Sequence, residues 1–475
     1  MKNFCKLIFI LLFFSNLAKS KPITWQRFYS IPNINQSGIY IQQTLDEGYI
    51  ACILSNPRNI LKINKFGIKE WQKSLLDSTD YFSPNAFIQI NDSNLVFVGM
   101  ISNSLAIYKT DKFGNTLWIR KFIIPGTSSE GFNIHVTQDG GFIIGGIIHF
   151  ISTDSLISYV IKTNSEGFSV WQKQFGSDKI CSGASIIQSQ QELYYMTNST
   201  APNFQSLFKG FCYKLNSQGD IIWKKSIGYN KFVGPIYQTN YDTINLVGTY
   251  EPDSKHSFFY FEKLDTSGKS IRISEFPSTY SLRGICSDRI GNIIFSGSQL
   301  MNKKQFDFTA TKFDKNGKFL INKILNTPSN SDDFNEGIGY TNDNGFVFIG
   351  GTNYNDSNSF NKNVLIAKTD SIFSAPNIVF IGNNEINFQV FELYQNFPNP
   401  FNNSTKILFE LPTPTFIQLK IYDMMGKEKS TLIKGYKSSG LYEIIFDASF
   451  LSSGIYFYVL SSEKHIRIKK FVFLK

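Results

Sequence analysis

Histidine is nearly absent from this chain. There are four in 475 residues, and His135, His149, His256 and His465 never fall at a metal-ligand spacing such as H-x-x-x-H. Cysteine is scarce too: five in all, without the close pairs of a disulfide framework or a zinc site. Cys52, Cys181, Cys212 and Cys286 are therefore expected to be buried thiols. No G-x-S-x-G elbow, P-loop or dinucleotide fingerprint occurs, so acyl transfer and nucleotide chemistry have no anchor. No cofactor and no metal is expected. Asp314-Lys315-Asn316-Gly317 has a faint look of a calcium loop, but it lacks the following acidic ligand and sits where a tight turn recurs. Helical periodicity is missing throughout, and no apolar run reaches the roughly 20 residues needed to cross a bilayer.

Charge is basic, +10 in total, yet the lysines are scattered along strands and turns rather than gathered in a run. A scattered distribution is a solvated surface and argues against nucleic acid as a partner. The start, MKNFCKLIFILLFFSNLAKSK, carries Lys2 and Lys6, then an apolar stretch from Leu7 to Phe14, then small-x-small Ala18-Lys19-Ser20. These are the parts of a secretory signal peptide over residues 1–20, cut between Ser20 and Lys21. Cys5 precedes the apolar stretch, where a lipid-bearing cysteine would follow it. An exported protein without a transmembrane segment is expected.

What the chain does have is a repeat. A lysine, Asn or Asp two residues on, Gly five on and Trp nine on recur at Lys62-Asn64-Gly67-Trp71, Lys109-Asp111-Gly114-Trp118, Lys162-Asn164-Gly167-Trp171 and Lys214-Asn216-Gly219-Trp223. Lys263-Asp265-Gly268 and Lys312-Asp314-Gly317 lose the Trp to Arg272 and Ile321, and Lys368-Asp370 keeps only the first pair. The lysines lie 47, 53, 52, 49, 49 and 56 residues apart, giving seven units averaging about 51. Each unit opens with a strand, turns at a glycine as in DEG at 46–48, DGG at 139–141 and DNG at 343–345, continues as a second strand, and reaches the Lys strand after a variable excursion. Asp/Asn-Gly supplies the positive φ of a tight hairpin. Four short antiparallel strands per unit make a propeller blade, so the fold class expected is all-β, a seven-bladed β-propeller over residues 21–380. TWQRFYS, at Thr24–Ser30, has no Lys strand before it, while the seventh unit has no Trp strand after it. The two halves belong together if the N-terminal strand closes the ring. The units resemble kelch-like and other secreted bacterial propeller repeats, a likeness that implies fold more than activity. The kelch double glycine appears only as Gly145-Gly146 and Gly350-Gly351.

Beyond a linker at 381–390 the text changes. Tyr394-Gln395-Asn396-Phe397-Pro398-Asn399-Pro400-Phe401-Asn402, the strand Ile421-Tyr422-Asp423 with Gly426, Leu451-Ser452-Ser453-Gly454-Ile455-Tyr456-Phe457-Tyr458 and the terminal Lys469-Lys470-Phe471-Val472-Phe473-Leu474-Lys475 follow in order. Residues 391–475 thus resemble the type A sorting domain of type IX secretion cargo, found in Bacteroidetes and their relatives. Asn403 stands where a proline often follows, and Phe446-Asp447-Ala448 replaces a Trp-Asp-Gly. The resemblance implies a small β-sandwich, the type IX translocon and its sortase as partners, and the cell surface or the medium as destination. Pro398 and Pro400 independently fix an extended, non-helical segment.

Chemistry has to be sought on the loops. The second-to-third loops and unit-to-unit connections share one face and vary, as HFISTDS at 149–155, NSTAPNFQS at 198–206, EPDSKHS at 251–257 and NYNDSNSF at 353–360. Candidate ligand residues there are His149, Asp154, Phe204, His256, Tyr354 and Asp356. A non-enzymatic binding module for a surface glycan or envelope protein is the expected function. The alternative is a polysaccharide hydrolase or lyase whose carboxylates meet on the propeller, and a purely structural surface role is the third reading.

Overall fold

The computed structural model describes residues 23–29, 35–56, 58–74, 82–90, 93–176, 180–189, 191–203, 206–240, 243–253, 256–278, 281–301, 305–325, 332–353, 363–375, 391–396, 398–437 and 440–475. The signal peptide with Ser20 and Lys21, the linker 381–390, and Phe204, Tyr354 and Asp356 lie outside them. Among the described residues every regular element is a strand. Contacts divide the chain into two compact units, Met1–Gln26 with Asn33–Asn377, and Arg27–Pro32 with Ile378–Lys475.

In the first unit the repeat grammar becomes antiparallel sheets. Ser37–Gln43, Tyr49–Leu54, Asn59–Ile63 and Lys69–Lys73 pair in sequence order, and the same order returns from Phe82 to Phe122, from Lys231 to Pro277 and from Ser281 to Ile324. The third and fourth repeats join into one nine-stranded sheet, because Ile180–Cys181 pairs in parallel with Ser155–Thr163. The last sheet is Asp333–Tyr340, Phe346–Thr352 and Asn363–Thr369, with Trp25–Tyr29 on its outer edge. TWQRFYS thus lies beside LIAKTD, as the missing halves require. The first strands pack side by side in chain order, and Ser37–Gln43 also packs against Asp333–Tyr340.

Each element of the repeat has a physical task. The Asn or Asp side chain accepts from the backbone N–H groups two and four residues on: Asn164 from Glu166 and Phe168, Asp314 from Asn316 and Lys318. That is an Asx turn, and it accounts for Asp314-Lys315-Asn316-Gly317 without an ion. The glycine ends the turn at φ +78° in Gly167; in the seventh repeat Phe373 takes the place at φ +60° and packs on Phe346. The lysine is buried at Lys62, Lys162 and Lys368 and half-buried in the other repeats. Lys162 Nζ donates to Asp139 at 2.8 Å and to the Thr163 carbonyl at 2.6 Å, while Asp139 also accepts from Thr137 Oγ1 and Gly141 N–H. Lys62 with Asp46, Lys312 with Asp288 and Lys368 with Asp343 repeat the pair at 2.9, 3.0 and 2.9 Å. The lysine of the third strand therefore pins the hairpin joining the first two.

The tryptophan joins one repeat to the next. Trp171 Nε1 donates to the Ser217 carbonyl at 2.9 Å and Trp223 Nε1 to the Thr266 carbonyl at 3.1 Å, both three residues past the next repeat's lysine. Its ring also closes over the next turn glycine: a Cβ on Gly219 would stand 2.9 Å from Trp171. Trp25 makes the same contact, donating to the Lys65 carbonyl at 2.9 Å, and meets Tyr49 edge-on at 5.7 Å as Trp171 meets Tyr194 at 5.6 Å. A glutamine near the end of the first strand makes a second link. Gln89 Oε1 accepts from Leu45 N–H, Gln188 Oε1 from Gln138 N–H, and Gln43 Oε1 from Asn342 N–H at 2.7 Å.

The second unit holds a three-stranded sheet, Glu392–Leu393, Ser404–Leu411 and Gly440–Asp447, and a four-stranded sheet ordered Glu428–Lys437, Thr415–Asp423, Gly454–Ser461, Ile466–Phe473. Alternate residues of both, including Phe409, Leu419, Ile421, Tyr458 and Phe471, share one buried core.

Two outcomes follow from these contacts. Trp25→Ala removes a buried indole and its hydrogen bond, and is expected to lower the unfolding free energy by about 3 kcal/mol in a denaturant melt. A melt indistinguishable from wild type would deny Trp25 its role. Partial burial pushes the Asp139 carboxyl up, but hydrogen bonds from Lys162, Thr137 and Gly141 outweigh it and hold the group at about 2, below its ordinary 3.8. Because the folded value is depressed, its contribution is full above about pH 4 and is lost as pH falls toward 2. Asp139→Asn should flatten the acid limb of stability against pH in that window. An unchanged limb would count against the pair.

Candidate functional site

One end of every sheet in the first unit is spent on repeat contacts: the Lys–Asp pairs, the Asx turns and the tryptophan pegs. The opposite end, where first strands begin and second strands turn into third, carries side chains that do not repeat. His149 and Asp154 meet here, Nε2 to Oδ1 at 2.8 Å, across the hairpin between Phe142–Phe150 and Ser155–Thr163, where Asp154 has φ +50°. Both are solvent-exposed, with 72% of the Asp154 side chain open, so the pair closes a surface turn. His256 opens its own strand opposite Asp253 and is exposed. Nothing brings it to His149. The segment 198–206, expected as a loop, is a strand up to Ala201. Its polar letters mislead because Asn198 donates to Ser158 Oγ, Ser199 N–H to Ser182 Oγ, and Thr197 Oγ1 to the Gly234 carbonyl, all out of water.

Beside His256 lies a cluster that sequence reading missed. The connection Tyr229–Asn230–Lys231 is held between two hairpin ends, Asn230 N–H donating to the Phe208 carbonyl and Glu251 N–H to the Asn230 carbonyl. This presents Tyr229, 60% exposed, with Lys209 Nζ 5.2 Å from its ring centre. Lys231 Nζ stands 4.9 Å from the ring of half-buried Tyr250 and donates to Glu275 at 3.0 Å. An exposed tyrosine ring with one lysine beside it suits a flat, hydroxyl-rich ligand, while Lys231 is neutralised by Glu275 and lies 4.0 Å from the buried Tyr260 ring. Aromatic residues at both edges of a unit-to-unit connection were the signal available in the sequence.

Six of the seven first strands also carry a β-bulge near their start. The bulged residues are Ile39, Asn85, Phe132, Gly234-Pro235, Arg283 and Glu336. In five repeats a second-strand glycine lies opposite the bulge: Gly99, Gly146, Gly248, Gly297 and Gly350. It is needed for close approach, since a Cβ on Gly350 would sit 1.9 Å from the Phe334 carbonyl and one on Gly146 2.2 Å from that of Glu130. Cys52, Cys181 and Cys212 are buried and outside any disulfide, as expected, and Cys286 is half-buried. Burial pushes the Cys52, Cys212 and Cys286 thiols far up, which keeps them protonated and unreactive. Among the described residues no group of three His, Cys, Asp or Glu side chains could hold a metal ion.

In the second unit the sorting motif residues converge on the terminal strand. Asn396, 2% exposed, donates through Nδ2 to the Pro398 carbonyl and Thr405 Oγ1, and its own N–H donates to the Tyr458 hydroxyl at 2.7 Å. Burial pushes the Tyr458 hydroxyl well up, so it stays a neutral donor, to the Tyr394 carbonyl. Asn399 Oδ1 accepts from Val472 N–H, and the Asn399–Pro400 bond is cis. Phe401 packs on Phe471 and Phe473, and Tyr456 stacks on Phe471. Gly454 opens its strand opposite Phe473, and the Lys470 carbonyl accepts from Gln395 Nε2 while its side chain is exposed. First and last parts of the motif are thus one clasp. Asn396→Ala leaves Thr405 Oγ1 without its buried donor and the Pro398 carbonyl with only the Thr405 hydroxyl, and should destabilise this unit by about 2 kcal/mol. The full chain is then expected to accumulate inside the cell envelope, read by protease accessibility on intact cells; normal surface delivery would show that the clasp is dispensable.

Comparison with known proteins bears on the two units differently. No curated protein matches the chain in sequence. Solved structures match at low identity. The β-propeller domain of the Trilobed protease from Pyrococcus furiosus is 8% identical at a TM-score of 0.39, covering 73% of this chain and 95% of that one. PorZ, a surface component of the type-IX secretion system of Porphyromonas gingivalis, is 11% identical at 0.34, covering 90% of this chain and 64% of that one. An exo-β-1,3-galactanase from Phanerochaete chrysosporium is 10% identical at 0.32, covering 76% and 97%. Residues 395–474 match the family of secretion system C-terminal sorting domains. The chain therefore carries a type IX sorting domain and is exported, to the cell surface or the extracellular space.

Proposed function

We propose that the first unit is a seven-bladed propeller, closed by Trp25–Tyr29 as the outer strand of its last blade, and that it works at the cell surface as a non-enzymatic binding module. Closure is supported by two contacts at the seam, Trp25 to Lys65 and Gln43 to Asn342, which copy those between consecutive repeats. The kelch-like double glycines fit the same reading as bulge partners. The sorting domain behind it engages the type IX translocon and is removed by its sortase.

One observation carries the binding function: exposed Tyr229 and half-buried Tyr250, flanked by Lys209 and Lys231, on the end of the sheets that no repeat contact occupies. The ligand that fits is a surface glycan. Three carboxylates of this end are engaged, Asp154 with His149, Glu275 with Lys231 and Glu130 with Asn85 Nδ2 at 2.8 Å. Engaged carboxylates serve as acceptors in recognition and favour this reading over the hydrolase or lyase.

The test uses the full exported protein on an immobilised glycan and envelope-extract array, with reducing-end release followed on any glycan bound. Binding without release is expected, weakened about tenfold by Tyr229→Ala, a loss of about 1.4 kcal/mol. Release of reducing ends would transfer the protein to the hydrolases or lyases, and an array with no bound glycan would sink the glycan reading.

A further inference from the structure

A bulge turns one side chain of a strand away from the regular alternation. Here the bulge recurs at one register position, in the strand of each sheet that packs against the neighbouring first strands. The backbone device is repeated and the side chains are not: Ile39, Asn85, Phe132, Arg283 and Glu336 share no chemistry. A position held by geometry but free in chemistry is where a scaffold writes specificity.

Three of these side chains are prepared for a ligand. Phe132 is 43% exposed although apolar, and its ring rests against Gly183, where any Cβ would stand 2.7 Å from it. Asn85 is fixed from both sides, accepting from Arg58 Nη1 at 2.8 Å and donating to Glu130 Oε1 and the Gly131 carbonyl, so three successive repeats share one polar chain. Arg283 leaves 57% of its side chain open, and its Nε lies 4.0 Å from Glu336 Oε2, at the limit of an ion pair.

We infer that these bulge residues form a second, central recognition site for the end of a glycan chain that terminates in a uronic acid. The inference rests on the glycan reading above. The exposed Phe132 ring offers a face to the C–H side of a sugar, the Asn85–Glu130 chain offers paired donor and acceptor to hydroxyls, and the guanidinium fork of Arg283 matches a carboxylate. Residues 21–380 carry 33 Lys and Arg against 29 Asp and Glu, and this net +4 favours the anionic form over its neutral counterpart.

The experiment is calorimetric titration of the full exported protein with two trisaccharides, alike except that one ends in glucuronic acid and the other in glucose. The acidic form is expected to bind at least tenfold more tightly. Arg283→Ala should abolish that preference and leave the neutral affinity in place. Arg283→Lys, which keeps charge but not the fork, should restore it only in part. Phe132→Ala should weaken both ligands alike, with melting temperatures confirming that the exposed-site variants fold. Tyr229→Ala should leave the ratio unchanged. Equal binding of the two trisaccharides, binding of neither, or an undiminished preference in Arg283→Ala overturns the central site. If the array still retains glycans in any of those cases, the binding function stands and only the central site falls; if it is silent, both fall.

Discussion

An ammonium group buried beneath a turn organises this protein. Moving a charge out of water costs several kcal/mol, repaid only when partner and geometry are good. In the Lys162–Asp139 and Lys368–Asp343 pairs the partner sits on the first hairpin and the lysine on the third strand. Each ammonium also closes on the carbonyl of the residue after it. Burial pushes Lys368 down, and Asp343 with Asp370 offsets only part of that shift. Three strands are thereby held to one geometry, and the turn that follows presents its glycine to the tryptophan of the previous repeat. Where the hairpin has no aspartate, as in Ser189–Leu193, the lysine looks elsewhere: Lys214 donates to the Thr266 carbonyl of the next repeat.

Fixing one end of each sheet in this way releases the other. Turn chemistry, ion pairs and tryptophan pegs all need particular residues, so their end of the sheets recurs in most repeats, with Lys214, Arg272, Ile321 and Phe373 as departures. The far end needs only that the hairpins close. The His149–Asp154 pair there is exposed and holds a single turn. Aromatic side chains with lysines over their faces then have room, and the bulges near the starts of the first strands supply a further set of varied positions.

Much of this was legible in the text because it is local. The Lys-x-Asn/Asp-x-x-Gly unit is turn chemistry within six residues, and its spacing led to the strands and to the displaced Trp25. The sorting domain was legible as a motif, with Asn396, Pro398 and Phe401 set at one end and Gly454, Tyr456 and Lys470 near the other; their convergence became visible only once Phe401 met Phe473. What could not be read depends on pairing across a hairpin. The bulges at Asn85, Phe132, Arg283 and Glu336 are marked chiefly one strand later, by a glycine that stands alone at Gly99 and Gly297 and within a pair at Gly146 and Gly350. Asn198-Ser199-Thr200 read as a loop because polarity was taken for exposure, whereas their hydrogen bonds to neighbouring sheets let them be buried. His149, Asp154 and His256 were chosen as chemically conspicuous letters, and only the first two turned out to be neighbours.

The pairing of Trp25–Tyr29 with Asn363–Thr369 sets an order in time. A chain that emerges N-terminus first presents Trp25 long before its neighbour strand exists. Contacts so distant in sequence form late, since closing the loop must be met before any contact rewards it. Until then the segment holds an unpaired strand edge and an indole without a lodging, and the other end of the unit holds the complementary edge. A chain stopped short of Asn363 cannot finish the last sheet however well its earlier repeats have folded, so the arrival of that strand reports that the unit is whole.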